Sequence, residues 1–178
     1  LAERLNGEIL SADSRLFYRG MDIGTAKPTE SEQKRIKHYL IDVAEIDEIW
    51  SLAIYQKAAY RIAEEIRQKG KLPLVVGGTG QYIRALTEGW VIPAQVPDST
   101  LRDVIKDWGM KIGASDLHAK LSMIDPQAAE KIEPGNLRRS VRAIEVIFST
   151  GKLFSEQRNK KPVDFQYKIV GLQRSRQA

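Results

Sequence analysis

Apolar residues recur at steps of three and four between positions 52 and 66, where Leu52, Tyr55, Ala59, Ile62 and Ile66 would share one face of a helix. Ser51 before them suits an N-cap, and Gly70 after them suits a C-terminal stop, so the pattern predicts a helix over 51–69. Two shorter apolar runs flank this region. Ile9 and Leu10 break into Ser11-Ala12-Asp13-Ser14-Arg15, as a strand does on leaving the carboxyl end of a sheet. Leu72-Pro73-Leu74-Val75-Val76 is β-rich, carries its proline at the start, and is expected as a central parallel strand buried on both faces. Tyr39 to Val43 reads as a third short strand, 29–37 as a polar helix, and 81–87 as a helix after Gly77-Gly78-Thr79-Gly80. Leu1 to Asn6 reads as the last turns of a helix with Leu1 and Leu5 on its buried face and Gly7 as its stop.

The pattern changes beyond position 97. Short amphipathic helices are predicted at 99–108, 115–123, 126–132 and 137–150, without intervening strands. Asp125 before Pro126 is a cap with a proline in the first helical position. In the last of these helices Leu137, Val141, Ile144 and Phe148 form the apolar stripe, with Arg138 and Arg142 on another face. Residues 167–172 return to strand character. The fold class is α/β, a parallel sheet with helices on both faces, made of residues 1–96 and 165–178. Residues 97–164 form an all-helical insertion.

Composition narrows the possibilities. No apolar run is long enough to cross a bilayer, no secretory leader is visible, and the absence of cysteine excludes disulfides and cysteine-metal sites. These features fit a cytoplasmic protein. The net charge of +5 is concentrated. Residues 136–161 hold seven basic side chains opposed only by Glu145 and Glu156, which accounts for the whole of it. A neutral body with one basic segment suits an anionic partner such as nucleic acid, although a charge run is often only a solvated helix face. The two histidines, His38 and His118, are distant in sequence and suggest packing or hydrogen bonding rather than a metal site.

The candidate chemistry lies where strands end. Asp13, beside Arg15, can be a general base at the sheet rim, or it can simply cap the next turn. The loop Met21 to Pro28 offers Gly24, Thr25 and Lys27 to a phosphate, a weak indication by itself. Gly77, Gly78 and Gly80 would let a ligand approach the backbone, and Thr79 adds a hydroxyl. A tight strand-to-helix turn explains them equally well.

The ordered set of motifs is more specific. SADSRLFYRGMDIGTAKP at 11–28, HYLID at 38–42, LPLVVGGTGQY at 72–82, RAIEV at 142–146 and TGK at 150–152 resemble the tRNA dimethylallyltransferases, also called tRNA isopentenyltransferases. The match runs in order along nearly the whole chain. The resemblance implies a P-loop NTPase-like core that binds dimethylallyl diphosphate with Mg²⁺ and prenylates N6 of an adenine beside a tRNA anticodon, in a monomer. Position by position, it implies Asp13 as the base and Thr79 as a group near the reacting atoms. It implies tRNA contacts at Asp13, Ser14, Arg15, Leu16, Arg102, Arg138, Arg139, Ser140, Val141 and Arg142. Lys27, Gly77 and Gly78 are expected to face diphosphate, with Arg174 or Arg176 as weaker matches. The family places a phosphate-binding G-x-x-x-x-G-K-[ST] loop before the first helix. This sequence contains no such motif, so the chain reads as a fragment. Alternatives are a prenyltransferase of free adenosine phosphates, a P-loop kinase of a small metabolite, and an RNA-binding fragment without catalysis.

Overall fold

The computed structural model describes residues 1–92, 99–157, 160–173 and 175. The chain forms two compact units, one of Leu1–Trp90 with Lys161–Ala178 and one of Val91–Lys160. The boundaries lie somewhat before the expected 96/97 and 164/165. At the second, the Lys161 N–H donates to the Gly89 carbonyl at 2.8 Å, which ties the returning chain to the first unit.

The first unit is built on a three-stranded parallel sheet in the order β2-β1-β3. Strand β1 is Gly7–Ser11, β2 is His38–Tyr39 and β3 is Leu72–Val76. Strand β1 is central, with Ile9 opposite His38 and Leu74. Strand β3 is therefore an edge among the described residues, and Leu72 and Val76 are exposed, contrary to the expectation of a strand buried on both faces. Glu8 lies buried in β1. Its carboxylate accepts from Lys71 Nζ at 2.7 Å and from the Tyr39 hydroxyl at 2.7 Å, which satisfies a charge otherwise costly to bury.

Helix α1 is Glu30–Arg35, opened by a capping box in which Thr29 and Glu32 each accept the other's backbone N–H. Helix α2 is Leu52–Gln68, with Ser51 Oγ accepting from the Ile54 N–H as the spacing predicted. Tyr55, Ala59, Ile62 and Ile66 are buried, and α2 packs against β1, β3 and helix α3, Gly80–Thr87. The core of this unit joins Leu10, Ala12, Phe17 and Leu40 to the α2 stripe and to Tyr82 and Leu86. Phe17, Tyr55 and Tyr82 stack, with the Tyr55 and Tyr82 ring centroids 4.3 Å apart.

Three expected elements differ. Residues 1–6 make only a short 3₁₀ turn, Glu3–Leu5, with Leu1 and Leu5 exposed. Asn6, not Gly7, takes the left-handed position that ends the turn. Strand β2 stops at Tyr39 because Leu40 and Asp42 both adopt positive φ, 60° and 53°. Residues 42–44 instead donate backbone hydrogen bonds to the Leu16 and Phe17 carbonyls, at 2.7 to 3.0 Å. Residues 167–172 pair with no strand among the described residues and are exposed. A β-rich sequence without a neighbouring edge has no partner for its backbone groups.

The second unit contains α4 (Ser99–Ile112), α5 (Ala114–Ile124), α6 (Pro126–Glu130) and α7 (Leu137–Thr150). Helix α4 runs past Trp108 because Gly109 is a packing position. A Cβ there would meet Leu137 at 2.6 Å and Leu117 at 2.7 Å. Ile105, Leu117, Leu121, Ala129, Ile132, Val141, Ile144 and Ile147 form the core. Ile147, rather than the exposed Phe148, completes the α7 stripe. Asp125 is fully buried and caps α6 through the Ala128 N–H at 3.0 Å. Its other oxygen accepts the Ser155 N–H at 2.8 Å, tying down the chain beyond α7. No helix among the described residues is long and apolar enough to cross a membrane.

Candidate active site and nucleic-acid interface

Strands β1 and β3 are parallel and in register to their last residues, with Ser11 opposite Val76. Both therefore deliver their following loops to the same rim. The two loops are bonded together. The Ala12 N–H donates to the Val76 carbonyl at 2.7 Å, and the Thr79 N–H donates to the Ala12 carbonyl at 3.1 Å. Thr79 Oγ1 accepts the Ser14 N–H at 3.2 Å and stands 3.5 Å from Ser14 Oγ. The expected residues Asp13, Ser14, Thr79, Gly77 and Gly78 thus come together at one rim.

Asp13 is half-buried and held by its own loop. Its N–H donates to Ser11 Oγ at 3.2 Å, and its Oδ1 accepts the Arg15 N–H at 2.9 Å. Both readings of Asp13 are therefore compatible. One carboxylate oxygen caps the turn, and Oδ2 has no hydrogen bond among the described residues. Ser11 is a supporting residue that sequence reasoning missed. Arg15 is exposed, whereas Leu16 is buried, and its carbonyl accepts the Asp42 N–H at 3.0 Å. The side chain of Leu16 accordingly serves the core and offers RNA no surface.

Gly77 and Gly78 differ in kind. A Cβ on Gly77 would collide with the Ala12 carbonyl group, so this glycine serves the approach of the two loops. A Cβ on Gly78 would meet nothing within 4 Å. The turn is therefore closed at Gly77 and open at Gly78.

Lys27 requires correction. Its side chain is only 7% exposed, and its Nζ donates to Asp22 at 2.6 Å, to Asp42 at 2.5 Å and to the Tyr18 carbonyl at 3.2 Å. All three ammonium protons are used, leaving none for a diphosphate. Burial works against the charge, but the two aspartates outweigh it and raise the lysine above its ordinary pKa. Lys27 instead clamps the loop after β1 to the segment after β2. Asp42 was missed because it stands 15 positions from Lys27 and nothing local links them.

In the helical unit Arg138 and Arg139 are exposed at the start of α7. Ser140 and Val141, expected as RNA contacts, are 0% and 5% exposed and face the helical core. A helix cannot present four consecutive residues to one partner, so the segment's outward surface is carried by its arginines. Arg102 on α4 and Arg142 on α7 meet at Glu145. Arg102 Nε and Nη2 donate to Glu145 at 2.8 and 3.1 Å, and Arg142 Nη1 donates at 2.9 Å. Glu145 was overlooked, although its place three residues after Arg142 on a helix could have suggested a pair. Arg174 and Arg176 lie outside the described residues.

Both histidines are engaged with backbone carbonyls. His38 Nδ1 donates to the Ile36 carbonyl at 2.7 Å, and His118 Nε2 donates to the Ala129 and Ile132 carbonyls at 3.1 and 2.8 Å. Among the described residues no group of three or more His, Cys, Asp or Glu side chains could hold a metal ion.

The family model described as IPP transferase matches residues 16–178. The chain is 49% identical over 176 residues to a tRNA dimethylallyltransferase of Herpetosiphon aurantiacus, covering 99% of this chain and 56% of that protein. It is 49% identical over 172 residues to one from a Roseiflexus species, covering 97% and 56%. Among solved structures, the full-length tRNA isopentenylpyrophosphate transferase of Bacillus halodurans is 44% identical, with a TM-score of 0.51 over 84% of this chain and 50% of that one. A eukaryotic dimethylallyltransferase, solved acting on tRNA, is 26% identical, with a TM-score of 0.67 over 87% of this chain and 38% of that one. The chain spans about half the length of the curated relatives it matches.

Proposed function

The chain belongs to the IPP transferase family, and from that premise we propose that it carries the adenine-activating part of a tRNA dimethylallyltransferase. Its core is the α/β parallel sheet of the P-loop NTPase-like fold of those enzymes. The reaction moves a dimethylallyl group from dimethylallyl diphosphate to N6 of an adenine beside the anticodon. The observation that carries this reading is the Asp13–Ser14–Thr79 cluster, in which a carboxylate held by its own loop stands beside the Ser14–Thr79 hydrogen bond that joins two loops at a sheet rim. An exocyclic amine is a poor nucleophile until a base takes its proton. Asp13 Oδ2 accepts the N6 proton as the N6–C1 bond forms, while the C1–O bond breaks and its electron pair leaves with the diphosphate. The adenine is first turned out of its stack to reach the rim.

Mg²⁺ is part of this proposal, and the donor set fits it. This ion takes oxygen ligands, keeps several waters, and needs only one or two protein groups beside substrate phosphates. Ser14 Oγ and Thr79 Oγ1 would supply hard oxygens at the rim, close to the open approach at Gly78, and leave the Asp13 carboxylate free to act as the base. When bound, Mg²⁺ offsets the charge gathered on the leaving diphosphate. Arg138 and Arg139 receive tRNA phosphates on the helical unit. We place the protein in the cytoplasm, as a monomer.

A second reading, RNA binding without catalysis, is favoured by Lys27, since the cation expected at the diphosphate is engaged elsewhere. One experiment separates the readings. This chain replaces the matching segment of the Herpetosiphon relative, and transfer of labelled dimethylallyl to a tRNA transcript is measured. Transfer is expected, with Asp13→Ala reducing turnover by roughly 10²–10⁴-fold at saturating substrates. A folded chimera that binds tRNA but transfers nothing, beside an active parent, establishes the second reading. Labelling of free adenosine phosphates in preference to tRNA overturns the acceptor assignment.

A further inference from the structure

We propose that Glu145 is a positioning residue for RNA, holding Arg102 and Arg142 together as one phosphate-receiving pair on the helical unit. The proposal rests on the reading of that unit as RNA-binding. The Glu145 side chain is 1% exposed, whereas those of Arg102 and Arg142 are 40% and 39% exposed. A buried carboxylate thus carries two guanidinium groups that reach the surface from different helices.

Two arginines this close repel one another and, unheld, would spread into solvent. The shared carboxylate lowers that repulsion and fixes both forks. It engages Arg102 through Nε and Nη2 and Arg142 through Nη1 alone. Nη1 of Arg102 and Nε and Nη2 of Arg142 have no hydrogen bond among the described residues. The triad keeps a net charge of +1 with its donors preorganised, which suits the planar, two-pronged recognition of a phosphate. Stability alone is a weak reason for such an arrangement. A buried ion triad is often replaceable by apolar side chains without harm, because desolvation offsets the attraction.

The sign of one mutation tests the idea. By Coulomb's law alone, Glu145→Gln removes a negative charge beside RNA and tightens binding. If Glu145 positions the arginines, the same change weakens binding, by roughly 5- to 20-fold, well within the range of couplings between groups in one network. The probe is an unmodified tRNA transcript titrated with the full chain across a potassium chloride series, with folding followed by circular dichroism. The salt slope should fall by about 0.9 for each phosphate that the variant no longer neutralises. In an Arg102→Ala, Arg142→Ala background, Glu145→Gln should weaken binding no further. Should Glu145→Gln unfold the helical unit, Arg102→Lys replaces it, keeping the charge but removing the fork, and it too should bind more weakly. Unchanged or tighter binding by folded Glu145→Gln, or by Arg102→Lys where that variant replaces it, overturns the positioning role. If Arg138→Ala with Arg139→Ala still weakens binding, the RNA-binding reading survives that result. No binding by the unaltered chain overturns both.

Discussion

Thr79 and Ser14 stand 65 positions apart, yet the Thr79 hydroxyl accepts the Ser14 backbone N–H at 3.2 Å. This bond joins the loop after β1 to the start of α3 and sets the spacing of the rim. Thr79→Val keeps the shape but removes the acceptor, leaving a half-buried N–H unsatisfied. Urea denaturation should show a loss of about 1 kcal/mol, with Thr79→Ser close to the parent. Equal stability of all three chains would mean that the bond adds nothing to the rim.

The two glycines of the β3–α3 turn should respond oppositely to alanine. Gly77→Ala forces a methyl group into the Ala12 backbone, and neither partner is a flexible side-chain end. A loss of about 1–3 kcal/mol is expected, as for overpacking elsewhere. Gly78→Ala enters open space and should leave the melting temperature unchanged while reducing prenyl transfer in the chimera. Normal transfer by Gly78→Ala would remove this position from the ligand's path.

Lys27→Met should destabilise the protein rather than affect a ligand. It strips Asp22 and Asp42 of a shared partner at a largely buried ammonium, at a cost of about 1.5–3 kcal/mol for hydrogen bonds to charged groups. Because the folded-state pKa of Lys27 is raised, its contribution is complete below the unfolded value of about 10.4 and is lost as pH rises through the folded value. The alkaline limb of a stability–pH curve should therefore be shallower in Lys27→Met. A variant of parental stability that no longer binds diphosphate would restore the original assignment.

A buried carboxylate with a lowered pKa makes each unit sensitive to acid, Glu8 in the first and Asp125 in the second. For Glu8, burial opposes the charge, but hydrogen bonds from Lys71 and Tyr39 outweigh it and lower the pKa. For Asp125, burial likewise opposes the charge, and the backbone N–H groups of Ser155 and Ala128 reverse it. A lowered folded pKa gives stability that is present above the unfolded values, about 4.3 for Glu and 3.9 for Asp. That stability is lost as pH falls through the folded values. Glu8→Gln should flatten the acid limb of the first unit and Asp125→Asn that of the second, read by tryptophan fluorescence and far-ultraviolet dichroism between pH 2 and 6. Acid limbs unchanged in both variants would assign the transition to other carboxylates.

What the sequence alone determined is local or repeats along the chain. The three- and four-residue spacing from Leu52 to Ile66 and the cap at Ser51 specify α2, because both act between residues within one or two turns. The apolar runs that end at Ser11 and Val76 specify two strands, and the ordered motifs specify the family. Asp13 and Thr79 were legible only through that resemblance, since neither residue type at its own position distinguishes a base from a turn cap. Tertiary structure decided the rest. Strand β1, not β3, is central, because a strand's place depends on which edges find partners. Residues 167–172 have strand composition but no partner among the described residues, and form no strand. Lys27 is a clamp because Asp42 folds back onto it, and Arg102 meets Glu145 across 43 positions. A side chain's charge can be read from the sequence. The groups that neutralise it, and whether any of that charge is left for a ligand, depend on interactions that exist only once distant segments have packed.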